Sequence, residues 1–121
     1  MHMIMLVLDD PNRLDEVLVA WRSVGVSGVT IAETLGGHRR ETRRVRGRYL
    51  FGLTGLAESA ERSQYTLFAI VADSRMVGMC LDATESIVGD LKDPNSGVFA
   101  AWELSLAKGV PDQVSKEGTE E

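Results

Sequence analysis

The apolar positions of this chain fall into two kinds of run, continuous ones of strand length and spaced ones of helical period. Residues 3–8, MIMLVL, form a continuous run closed by DDPN, which predicts a first strand. Asp10 followed by Pro11 predicts a helix start, with a carboxylate cap and proline at the first helical position. Leu14, Val17, Leu18, Trp21 and Val24 then recur at steps of three and four and give one apolar face. Gly25 predicts the helix end. Residues 29–35, VTIAETL, predict a second strand, with Val29, Ile31, Glu33 and Leu35 pointing one way and Thr30, Ala32 and Thr34 the other.

From residue 36 to 63 no steady period holds; LAESAER near the end of this stretch predicts a short exposed helix. YTLFAIVA (65–72) predicts a third strand. A second helix follows, capped by Asp73 or Ser74, stopped by Gly89, with Val77, Cys80, Leu81, Thr84, Ile87 and Val88 on one face. DLKDPNSG is turn chemistry, and VFAAWEL (98–104) predicts a fourth strand. The order β-α-β-β-α-β predicts an α+β fold, a ferredoxin-like sandwich with both helices on one face of an antiparallel sheet. Residues 1–104 make that domain, with a long loop at 36–63, and residues 105–121 a polar tail expected to fray. Strands one, three and four are apolar at nearly every position, so both sheet faces want cover, and two helices can cover only one. The other face predicts a ligand or a partner subunit, and hence a homo-oligomer.

Charge changes the picture at one place. Residues 38–48, HRRETRRVRGR, hold six arginines and one glutamate, a local +5 in a chain of net −5. The rest of the chain is net −10, which argues against a general nucleic-acid surface and leaves a local anion site open. The single cysteine, Cys80, excludes an internal disulfide and fits a reducing, cytoplasmic setting. The first residues lack the basic flank of a signal peptide, and no run has the length of a membrane span. His38 has no second histidine or cysteine at ligand spacing, so a metal site is not expected. Cys80 and Trp21 read as core, Trp102 as core or interface, and His2 as incidental. No nucleophile–base pair, paired carboxylates or metal set is placed by any motif. The chain reads as a binder and not an enzyme.

GVSGVTIAETLGG (25–37), VRGRY (45–49) and VGDLKDPNSGVFA (88–100) resemble the P-II signalling family. The first is similar to that family's helix end, second strand and loop entry, the second to part of its effector loop, the third to its phosphate-contacting loop. The resemblance spans about residues 3–102. It implies a homotrimer whose sheets face the threefold axis, with an adenine nucleotide (AMP, ADP or ATP) between subunits. Thr30, Gly36, Gly37, His38 and Arg39 would line the nucleotide, joined by Gly89, Lys92, Asn95, Ser96 and Gly97. Arg40, Arg43, Arg44, Arg46, Arg48 and Tyr49 would belong to a mobile loop that docks on a protein target. The chain departs from the pattern in carrying one lysine and a proline in DLKDPNSG and no paired arginines in WELSLAKGV. It also has no glutamine in GGHRRET. These departures point to a divergent member that binds another nucleotide or a small anion. Two further readings stand beside it: an RNA-binding module that uses the arginine loop, and a structural trimer that senses nothing.

Overall fold

The computed structural model describes residues 1–35, 64–94 and 96–110. Within them the chain is α+β, a four-stranded antiparallel sheet with two helices. Strand β1 (His2–Leu8) leads into a single 3-10 turn (Pro11–Arg13), helix α1 (Leu14–Ser23) and strand β2 (Thr30–Thr34). Strand β3 (Gln64–Val71), helix α2 (Ser74–Val88) and strand β4 (Gly97–Glu103) follow. The sheet order is β2-β3-β1-β4, so the two most apolar strands are central and β2 and β4 are edges. The short helix expected near the end of residues 36–63 lies outside the described residues.

Local chemistry explains the boundaries. Asp10 caps as expected, its Oδ1 accepting from the Asn12 N–H at 3.0 Å. It starts a 3-10 turn, however, with the Arg13 N–H on the Asp10 carbonyl at 3.0 Å, and α-helix proper begins only at Leu14. Helix α2 starts where its cap predicts, because Asp73 Oδ1 accepts from the Met76 N–H at 3.0 Å.

Strand register sorts the side chains onto two faces. Leu6 lies opposite Leu67 and Ile4 opposite Ala69, and with Leu8 and Val71 they form one face of the sheet. That face is buried under both helices, in one core with Val17, Trp21 and Cys80. Each fully buried aliphatic side chain there contributes about 1.5–3 kcal/mol relative to exposure. The core is tied together by two hydrogen bonds. The Trp21 indole N–H of α1 donates to Thr84 Oγ1 of α2 at 2.9 Å, and the Thr84 hydroxyl donates to the Cys80 carbonyl at 2.7 Å. Burying Trp21 therefore leaves no polar atom of that side chain unsatisfied.

The second face carries Met3, Met5 and Val7 from β1, Phe68 and Ile70 from β3, and Val98 and Trp102 from β4. Neither helix belongs to it, and Val98 and Trp102 are 54% and 45% exposed. At the loop end this face turns polar. Thr34 and Thr66 share a hydroxyl–hydroxyl bond of 2.8 Å, and the Gln64 amide donates to Asp9 Oδ1 at 3.0 Å.

Candidate functional site

Two regions gather the residues that sequence reasoning singled out. The first is the turn between α2 and β4. Gly97 opens β4 at φ 127°, and a Cβ there would sit 2.4 Å from the Val7 carbonyl oxygen, so only glycine fits the bend. The turn lies over a cavity of about 790 Å³ whose lining includes Glu85, Asp90, Leu91, Lys92 and Gly97. This is the part of the chain expected to meet phosphates.

Its donors are already engaged. The Leu91 N–H donates to Glu85 Oε2 at 2.9 Å, and the Lys92 N–H to Asp90 Oδ1 at 2.9 Å. The Asp93 N–H donates to the Asp90 carbonyl at 2.9 Å. The Ser96 hydroxyl reaches the Asp90 and Asp93 carbonyls, at 3.1 and 2.6 Å. Gly89 ends α2, its N–H on the Glu85 carbonyl at 3.0 Å, and does not line the cavity. Of the expected ligand residues, Lys92 and Gly97 are thus brought to one cavity, while Ser96 spends its hydroxyl on the turn itself. Two carboxylates take the backbone N–H groups that a phosphate nest would need, and one ammonium stands against them.

The second region is the open sheet face near the start of β2. Thr30 lies there opposite Phe68, in a cavity of about 340 Å³ that also has Met3, Ile70 and Lys108 in its lining. Thr30 and the residues of the α2–β4 turn therefore line different cavities. Gly36, Gly37, His38, Arg39 and Asn95 lie outside the described residues, as do Arg40, Arg43, Arg44, Arg46, Arg48 and Tyr49. Lys108 was missed because it sits in a stretch without period, although it is a cation just past the last strand. Glu85 was missed because its role depends on a reach from the helix to the turn six residues on.

The remaining chemistry-bearing residues are structural. Burial pushes the Cys80 thiol up to about 11, which keeps it a protonated, unreactive core group. His2 is the first residue of β1. Among the described residues no three His, Cys, Asp or Glu side chains gather where they could hold a metal ion. No described helix is long and apolar enough to cross a membrane. No family model matches the chain, and no curated protein matches it.

Proposed function

We propose that this chain is a divergent P-II-like regulatory protein: a ferredoxin-like domain that assembles as a homotrimer and is not an enzyme. In this reading it binds an adenine nucleotide or a small anion between subunits. It then acts on a partner protein, in the cytoplasm, through the arginine-rich residues 38–48. The observation that carries the reading is the second face of the sheet, which neither helix covers and on which Val98 and Trp102 are more than two-fifths exposed. With Met5 and Val7 of β1 beside Val98 of β4, that side of the face favours a second and third copy of the same surface. Strand order supports it too, because β2 delivers the chain at a sheet edge into the arginine stretch.

The α2–β4 turn bears on the ligand. With its N–H groups on Glu85 and Asp90, it offers a polyphosphate little beyond Lys92. The reading therefore rests the anion on residues 36–39 and their arginine, and favours a small anion or a nucleotide with few phosphates over ATP. RNA binding finds less support. Base stacking needs aromatics on the open side of the central strands, and Phe68 is the one such residue on β1 and β3, since Tyr65 faces the helices.

Isothermal titration with AMP, ADP, ATP and cyclic nucleotides, with the mass read by light scattering, tests the proposal. Micromolar binding of one nucleotide to a trimer, weakened by Arg39→Ala, is the expected result. A trimer that binds none of them keeps the assembly and discards nucleotide sensing. A single-chain mass discards the reading altogether.

A further inference from the structure

After β4 the chain does not leave the sheet. The Leu104 N–H donates to the Met1 carbonyl at 2.9 Å, and residues 108–110 then line a cavity together with Met3, Thr30, Phe68 and Ile70. Met3, Thr30, Phe68 and Ile70 all project to the face away from the helices. The chain has therefore crossed onto that face and roofs one end of it. Gly109, at φ 86°, stands between Lys108 and Val110, and all three line the cavity.

We propose that this cavity binds a small carboxylate with an apolar or aromatic body. The site lies within one chain, and the proposal goes beyond the nucleotide reading. Its volume, about 340 Å³, is at the small end of the range for ligand pockets, about 300–1,000 Å³. Among the described lining residues, Thr30 and Lys108 carry the polar side chains, beside Met3, Phe68, Ile70 and Val110. Lys108 makes no ion pair among the described residues. One cationic and one hydroxyl-bearing residue beside apolar and aromatic ones match one carboxylate head and an apolar tail. A phosphomonoester matches less well, because it carries about −1.5 to −2 charges at neutral pH and would leave charge unpaired against Met3 and Phe68.

The test is methyl-detected NMR of the full chain, following Met3, Ile70 and Val110, with 3-phenylpropionate as the probe. The neutral 3-phenylpropanamide and AMP are run beside it. The expected result is saturable shifts of those methyls by the acid, with the amide about tenfold weaker for want of the charge-assisted bond. Lys108→Met keeps the aliphatic stem at an exposed position, so its circular dichroism stays that of the wild type while the acid loses its advantage over the amide. Equal binding of acid and amide overturns the proposal. So do wild-type binding by Lys108→Met and the absence of any shift up to millimolar acid. Shifts of the same methyls by AMP in preference to the acid also overturn it, and return the cavity to the nucleotide reading.

Discussion

Neighbouring residues of β1 meet opposite surroundings although they are much the same in kind. Ile4, Leu6 and Leu8 are fully buried, while Met3, Met5 and Val7 keep part of their surface. What separates them is what the rest of the chain lays on each face. On one side two amphipathic helices close the core and lock to each other through Trp21 and Thr84. On the other, the described residues supply a crossing near residues 108–110 and a polar patch at Thr34, Thr66 and Gln64. Alternation along a strand thus assigns a side chain to a face and says nothing of what covers that face.

Substitutions separate the two faces by the size of their effects. On the covered face Trp21→Ala removes the largest core side chain and its bond to Thr84, and about 3–5 kcal/mol of unfolding free energy should be lost in urea denaturation. A loss near that of a surface site would mean that α1 and α2 do not share one core. Thr84→Val keeps the shape but leaves the Trp21 N–H buried without its acceptor, at a cost of about 1–3 kcal/mol. Thr84→Ser should recover most of it.

Alkaline titration sharpens the same contrast. The Cys80 thiol stands at about 11 in the folded chain, against about 8.5 when exposed. Above about pH 8.5 the unfolded chain gives up this proton and the folded chain does not, so stability falls as pH rises through about 11, by on the order of 3 kcal/mol. Cys80→Ala should flatten that part of the stability–pH curve, and an unchanged slope would place the titration elsewhere. The smallest effect on folding belongs to the open face. Val98→Ser with Trp102→Ser should alter the stability of a separate chain by no more than about 0.5 kcal/mol. The same pair should bring the mass in light scattering down to one chain if that face holds the assembly together; an intact trimer would move the interface off β4.

The sequence read the covered face well because packing leaves a periodic trace. Val17 and Trp21 on one helix and Cys80 and Thr84 on the other recur at helical spacing, and all four are buried. Strand limits shift by a residue or two, as where β3 begins at Gln64. The turn at 90–97 was legible as a turn but not as an occupied one. Its decisive contact joins Glu85 to Leu91, and nothing in turn chemistry marks a carboxylate one helical turn upstream as the partner. Lys108 was illegible for a different reason: a short polar stretch leaves no period, and only the path of the backbone brings it back over Phe68.

The placement of the two tryptophans has an optical consequence. Trp21 is sealed in the core, whereas Trp102 stands on the open face with 45% of its surface accessible. Iodide or acrylamide should therefore quench one emission component and spare the other, and the quenchable fraction belongs to a single residue on a single face. Whatever comes to rest there, a sister chain or a target, should shield Trp102 and leave Trp21 unmoved. The protein carries its own reporter of occupancy, with a built-in internal standard.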